Sequence, residues 1–323
     1  IVGATGMVGR TFLKVLEERN FPIDNLYLFS SKKSAGSKVM FKNKEYIVEE
    51  LKEDSFTKDI DIALFSAGGE ISKKFAPIAK AKGVIVVDNS SAWRMNKDIP
   101  LVVPEVNPED LKWHDGIISN PNCSTIQAVV PLKILHDAFK IKRIIYSTYQ
   151  AVSGSGVEGI SDLENGINGE ENKKYPHQIA FNCIPHIDDF MDNLYTKEEM
   201  KMIEETKKIL NDQNIRVTAT TVRVPVKYGH SVSMNIEFER DFELSKIYEL
   251  LENVDGLVIM DDIQNNIYPM PTYVQDKDEV YVGRIRRDFS VENGINMWVV
   301  ADNIRKGAAT NTVQIAELIL NYL

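Results

Sequence analysis

Cysteine is scarce. Cys123 and Cys183 are the only two in 323 residues, too few for a disulfide framework. Long apolar runs are missing as well: none approaches the roughly 20 residues of a membrane-spanning helix. No secretory leader is visible, so a cytoplasmic protein is expected. Positive charge is in deficit, with 38 Lys and Arg against 47 Asp and Glu and a formal net charge of −9. An acidic chain repels a phosphate backbone, which argues against general nucleic-acid binding but not against a small anion in a locally basic pocket. Internal repeats and low-complexity tracts are also absent. What remains is the composition of an ordinary globular protein, 43% hydrophobic and 26% charged, with a length that suggests two domains. The sequence opens at Ile1 inside what reads as a strand, so a few residues are expected to precede it.

The first third alternates short apolar runs, at 26–29, 60–65, 84–87, 101–103 and 117–118, with amphipathic stretches. In 8–19, for example, Val8, Phe12, Val15 and Leu16 fall on one helical stripe. Such alternation predicts a mostly parallel, Rossmann-type sheet covered on both faces. After about residue 140 the strands lengthen and alternate polar with apolar, at 143–152, 216–224, 231–239 and 297–301. They predict an α+β second domain with a largely antiparallel sheet. The segment 158–178 is Gly- and Glu-rich and weakly patterned, and reads as a mobile surface excursion containing a helix. A charged surface helix is expected over 197–210, with Met200, Ile203 and Leu210 inward, and an amphipathic one over 310–320.

Gly3, Gly6 and Gly9 lie between the first strand and the first helix. Glycine permits a tight turn and close backbone approach, and the helix N-terminus offers N–H groups to a pyrophosphate. A tight βα turn without a ligand has the same glycines, but the position at the start of a βαβ pattern favours a nucleotide. The second strand ends in Ser30, Ser31, Lys32, Lys33 and Ser34, with no acid before Glu45. An NAD site places a carboxylate there for the ribose hydroxyls, whereas hydroxyls and lysines suit the 2′-phosphate of NADP. A solvated loop has a similar composition.

Cys123 stands where an apolar strand passes into a helical stretch. The positive end of a helix dipole favours thiolate over thiol, so a nucleophile and an inert buried cysteine are both open readings. Cys183 and His186 have a loose metal-like spacing, but no second pair completes a site, and no metal is expected.

Longer strings carry more. SNPNCSTIQ around Cys123 resembles the catalytic segment of the aspartate-β-semialdehyde dehydrogenases. VGATGMVG, LFSAGG, VVDNSSAWRM, VVPEVN, STYQAVSGSG, EEMKMIEETKKIL, RVPVKYGHS, VGRIR and MWVVADNIRKGAATNTVQIAE match the same family in order over nearly the whole chain. The poorest match is 158–178, and Lys33 stands where the related enzymes have Arg.

The resemblance implies a mechanism. Cys123 attacks the acyl carbon of β-aspartyl phosphate, inorganic phosphate leaves, NADPH reduces the acyl-thioester, and the thiohemiacetal collapses to aspartate semialdehyde. It also implies roles. His230 is the acid–base group, Gln150 orients the acyl group, and Arg223 clamps the substrate carboxylate. Glu198 meets the substrate ammonium, Lys201 and Arg94 bind the phosphate, and Asn122 joins the substrate site. Thr5, Gly6, Met7 and Val8 cradle the pyrophosphate, Ser31, Lys33 and Ser34 the 2′-phosphate, and Ser66, Ser153, Gly154 and Asn303 complete the NADP site. On pattern alone His230 ranks no higher than His177 or His186, Arg223 reads equally as a strand-surface residue, and Glu198 and Lys201 as a solvated i,i+3 pair.

The implied domains are 1–122 with 303–323, binding NADP, and 123–302, for catalysis and dimerisation. The implied setting is a cytoplasmic homodimer, with no nucleic-acid or membrane partner, in the biosynthesis of lysine, threonine, methionine and, in bacteria, diaminopimelate. Two other functions fit less well. An N-acetyl-glutamyl-phosphate reductase shares the thioester chemistry but needs no carboxylate at Glu198. A catalytically silent NADP-binding protein needs neither Cys123 nor His230.

Overall fold

The short apolar runs of the first third pair as a parallel sheet. Val2 bridges Phe29 on one side and Phe65 on the other. It thereby links the pair Phe29–Ser30 and Glu49–Glu50 to the row Ile62–Phe65, Ile85–Asp88 and Ile117–Ser119. The run at 101–103 contributes only a bridge from Leu101 to Ser119. Alternate residues face opposite layers, as the pleat requires. Leu64, Val87 and Ile118 join one apolar cluster with Phe12, Val15 and Leu16 of the helix Met7–Glu18 and with Val313, Ile315 and Ile319 of the helix Thr310–Ile319. Ala63, Phe65, Val86 and Ile117 join another with Phe75, Ala76 and Ala79 of the helix Gly69–Lys80. Both faces are covered, which is why these strands read as unbroken apolar runs.

The computed structural model describes residues 1–321, so the last two residues of the expected first domain, 322 and 323, lie outside the described residues. Two units divide the chain: Ile1–Asn122 with the stretch from Ala308 onward, and Cys123–Gly307. The sequence reading returned the chain to the first domain at 303. Residues 303–307 instead stay with the second unit, where Asn303 bonds Ser153 and Gly229 and Arg305 grips Asp278.

In the second unit six strands pair in the order Leu257–Ile259, Val280–Asp288, Gly294–Ala301, His230–Phe238, Ile141–Gln150, Arg216–Arg223. The three inner pairings are antiparallel and the two outer ones parallel. Val232, Met234, Ile236 and Phe238 are buried, while Ser233, Asn235 and Glu237 between them are only half-buried. The sequence reading missed Val280–Asp288. Charged Arg284, Arg286 and Arg287 and a register shift after Gly283 break its alternation.

The helix Cys123–Phe139 packs on the strand His230–Phe238 and on the helices Lys197–Ile209 and Leu244–Leu251. Thr196 starts Lys197–Ile209 with a reciprocal cap: its hydroxyl accepts from Glu199 N–H, and its own N–H donates to the Glu199 carboxylate. Ile203 and Leu210 are buried as expected, but Met200 is only half-buried, and Glu198 and Glu205 turn inward with Met202 and Ile209. Within 158–178 the expected helix is Gly156–Ile167.

Candidate active site

In the first unit the cradle is built from backbone. Gly3 has φ 85°, and a Cβ there would come within 2.2 Å of Ser66 O, so only glycine lets these two turns meet. A Cβ on Gly9 would lie 2.2 Å from Gly3 O, which fixes how closely the helix Met7–Glu18 approaches the loop. Gly6 is an ordinary extended residue with φ −71°. No side chain caps this helix, and an uncapped helix start can receive an anionic ligand. Thr5, Met7, Val8 and Ser66 are half-buried around it. Thr5 Oγ1 lies 2.9 Å from Ser30 Oγ, a residue outside the expected site. Ser31 and Lys33 are exposed and Ser34 half-buried in the turn after Phe29–Ser30. That turn is closed by Ser34 N–H on Ser31 O and holds no carboxylate. The next acid in sequence, Glu45, pairs with Lys38 at 2.8 Å.

Arg94, also in the first unit, is buried. Its Nε donates to Asn120 O at 2.9 Å and its Nη2 to Asn89 O at 2.8 Å. Asn120 Nδ2 donates to Asn89 Oδ1, and Asn311 Nδ2 to Asn120 Oδ1. None of these three asparagines is among the expected site residues, although all three lie inside the strings that carry the resemblance.

In the second unit the polar groups are side chains from distant parts of the chain. Cys123 is the first residue of its helix, follows buried Asn122, and is in no disulfide. A Cβ on Gly307 would come 2.9 Å from Cys123 Cβ, so backbone runs directly against the thiol-bearing residue. One turn along the helix, Gln127 Nε2 donates to His230 O at 3.1 Å and Val299 O at 3.3 Å. This fully buried amide ties the helix of Cys123 to the strand of His230, and the sequence reading missed it. Its spacing four residues after the cysteine was the available signal.

His230 is completely buried. Its Nδ1 accepts from Ala151 N–H at 3.0 Å, so in the neutral ring the proton sits on Nε2. Nε2 is buried with no hydrogen-bond partner among the described residues. Burial, reinforced by the Arg223 cation and opposed by Glu198, pushes this histidine down to about 3, so the ring is neutral. Arg223 Nη1 donates to Ala151 O at 2.7 Å, whereas its buried Nε has no acceptor among the described residues. A Cβ on Gly154 would lie 2.9 Å from Arg223 Nη1 and 3.3 Å from His230 Nε2, so this turn borders both groups.

Gln150, Glu198 and Lys201 form a chain. Thr148 Oγ1 donates to Gln150 Oε1, Gln150 Nε2 to Glu198 Oε1 at 3.1 Å, and Lys201 Nζ to Glu198 Oε2 at 3.1 Å and Asp188 Oδ2 at 2.7 Å. Glu198 is thus no solvated surface residue, being only 5% exposed. Asn303 is buried. Its Oδ1 accepts from Gly229 N–H and its Nδ2 bonds Ser153 Oγ, which holds the Ser153 turn to the residue before His230. Among the described residues no cluster of His, Cys, Asp and Glu has the makings of a metal site, and no helix is long and apolar enough to cross a membrane.

Known proteins match this arrangement over its length. The semialdehyde dehydrogenase NAD-binding domain matches residues 1–114, and the semialdehyde dehydrogenase dimerisation domain residues 132–306. The chain is 58% identical to an aspartate-semialdehyde dehydrogenase of Aquifex aeolicus, over 99% of this chain and 97% of the relative. The crystal structure of aspartate semialdehyde dehydrogenase II complexed with ASA from Vibrio cholerae superposes with a TM-score of 0.95 at 50% identity, covering 99% and 97% of the two chains. A Candida albicans aspartate semialdehyde dehydrogenase with NADP gives 0.79 at 26% identity, covering 99% and 97%. With both domains matched and more than half of all positions identical over full length, the chain belongs to the aspartate-semialdehyde dehydrogenase family.

Proposed function

We propose that this chain interconverts β-aspartyl phosphate and aspartate β-semialdehyde with NADP(H) through an acyl-thioester on Cys123. Its place is the biosynthesis of lysine, threonine, methionine and, in bacteria, diaminopimelate, and its working form is a homodimer. The observation that carries the reading is unspent hydrogen-bonding capacity. His230 Nε2 and Arg223 Nε are buried donors without acceptors among the described residues, and the Gly154 turn borders His230 Nε2 and the Arg223 guanidinium. Burying such donors unpaired costs about 1–3 kcal/mol each, a cost recovered when a ligand supplies the acceptor.

Cys123 Sγ attacks the acyl carbon, the bond to the phosphate oxygen breaks, and inorganic phosphate leaves with the electron pair. The helix N-terminus favours the attacking thiolate. The nicotinamide cofactor, when bound, exchanges the hydride between acyl and aldehyde levels. His230 Nε2–H donates to the acyl oxygen as negative charge develops on it. A proton already on Nε2 suits this donor role. Taking a proton there, the base half of an acid–base role, first requires moving it to Nδ1 and breaking the Ala151 bond. Gln150, with its amide held by Thr148 and Glu198, orients the acyl group.

Arg223 takes the α-carboxylate, Glu198 the ammonium, and Lys201 and Arg94 the phosphate, and Asn122 joins the substrate-binding set. Each pairing matches opposite charge, and the planar fork of arginine suits carboxylate. Thr5, Gly6, Met7 and Val8 cradle the pyrophosphate. Ser31, Lys33 and Ser34 take the 2′-phosphate in a turn without the carboxylate an NAD site uses. Ser66, Ser153, Gly154 and Asn303 complete the cofactor site. The close packing of Gly3 on Ser66 is the feature that fits this cradle to a dinucleotide.

The test is phosphate-dependent reduction of NADP by aspartate semialdehyde. Turnover that requires phosphate supports the reading. Preference for N-acetylglutamate semialdehyde, or cofactor binding without turnover of either aldehyde, overturns it.

A further inference from the structure

Arg223 has little to aim it. One hydrogen bond, from Nη1 to Ala151 O, holds the guanidinium, and Nε has no acceptor among the described residues. A further neighbour is aromatic: Arg223 Cζ lies 5.9 Å from the centre of the Tyr175 ring, within cation–π range. Tyr175 comes from 158–178, the segment with the weakest pattern in the sequence. Its hydroxyl donates to Val152 O at 3.4 Å, and a Cβ on Gly159 would come within 2.7 Å of that hydroxyl.

One carboxylate holds the strand of backbone that carries Tyr175. Asp162, buried on the helix Gly156–Ile167, accepts three consecutive backbone N–H groups: Lys173 at 2.8 Å on Oδ1, and Lys174 at 2.7 Å and Tyr175 at 2.9 Å on Oδ2. Burial works to raise this carboxyl, but the three N–H bonds outweigh it and hold it below the ordinary range.

We propose that Tyr175, fastened by Asp162, is a positioning residue for Arg223: its ring backs the guanidinium and directs the remaining donors toward the substrate carboxylate. The proposal rests on the assignment of Arg223 to that carboxylate. It makes 158–178 a determinant of affinity for the amino-acid end of the substrate, with no part in the chemistry at Cys123.

The test compares Tyr175→Leu, Tyr175→Phe, Asp162→Asn and Arg223→Ala in the full chain, with separate KM values for aspartate semialdehyde, phosphate and cofactor. Tyr175→Leu is expected to raise KM for the semialdehyde about fivefold to thirtyfold, the range of a partly desolvated cation–π contact. The phosphate and cofactor values stay within about twofold. Tyr175→Phe keeps the ring and rescues KM, and Asp162→Asn shifts KM in the same direction as Tyr175→Leu. Tyr175 is half-buried, so its variants carry the test even if Asp162→Asn fails to fold. An unchanged semialdehyde KM in Tyr175→Leu, with a raised one in Arg223→Ala, overturns the positioning role alone. A parallel rise in all three KM values also overturns it. An unchanged semialdehyde KM in Arg223→Ala overturns the carboxylate assignment and the proposal with it.

Discussion

In the first unit, the groups we propose for the cofactor are mainly main-chain atoms and the hydroxyls and lysine of an exposed turn, all within residues 3–34 except Ser66. In the second, the groups we propose are mostly buried side chains drawn from positions 123 to 303, several of them held by one another: Gln150 by Glu198, Glu198 by Lys201, Asn303 by Ser153, and the strand of His230 by Gln127. A backbone cradle depends on glycine and tolerates change in many side chains. A side-chain site depends on each partner, because removing one leaves another buried and unpaired. Substitutions should therefore fail differently in the two units.

The largest expected effect is at Cys123. Cys123→Ala removes the nucleophile and should abolish phosphate-dependent turnover while leaving cofactor affinity intact, as checked by steady-state kinetics and cofactor titration. A matching loss of cofactor affinity would break the contrast. Next, His230→Ala should lower kcat about 10²–10³-fold, the usual cost of one donor to a developing oxyanion, with a smaller change in KM. In the first unit Gly3→Ala should cost about 2–4 kcal/mol of stability, from φ strain and the clash with Ser66 O together. Cofactor affinity should fall with it, read by thermal melts with and without NADP. Gly6→Ala is the control for stability alone, since its φ of −71° suits alanine and its nearest neighbour, Gly3 O, would be 3.3 Å away.

A smaller effect is expected from the paired substitution of Lys33 and Ser34 by Ala. KM for NADP should rise about tenfold, near ~1.4 kcal/mol, with KM for NAD little changed. Equal use of NAD and NADP by the unaltered chain would refute the 2′-phosphate assignment.

The mildest test concerns acid. His230 lies at about 3 when folded, because burial first and the Arg223 cation second disfavour its charge. In the unfolded chain it returns to about 6.5. Between these values the unfolded state binds a proton that the folded state refuses, so stability falls as pH drops from about 6.5 toward 3. His230→Gln should make the melting temperature less sensitive to pH across that window. An unchanged slope would mean that the ring is not buried neutral.

The glycine loop was legible because its signal is local: Gly3, Gly6 and Gly9 lie within one turn of chain, and only Gly3 and Gly9 prove to be sterically required. The parallel sheet was legible for a similar reason, since strands buried on both faces are written as apolar runs. The strand Val280–Asp288 was not, because its charged residues mask the alternation. In Lys197–Ile209, charge density pointed to the surface, yet Glu198 and Glu205 are buried. Nothing local in a helical stretch tells an inward glutamate from an outward one when the partner, Gln150, is 48 positions away.

By itself, then, the sequence determined the strand–helix alternation of the first unit, the glycine turn, and the place of Cys123 at the head of its helix. These are properties of neighbouring residues, set by φ/ψ limits, hydrophobic period and helix termini. Tertiary structure decided which titratable groups are buried and what each meets. It keeps the proton of His230 on Nε2 through Ala151 N–H, leaves Arg223 Nε without an acceptor among the described residues, and pins the backbone at 173–175 to Asp162. The reason is physical. Desolvation and hydrogen-bond geometry act over a few ångströms of space, and the residues that satisfy them here are separated by tens of positions in the chain.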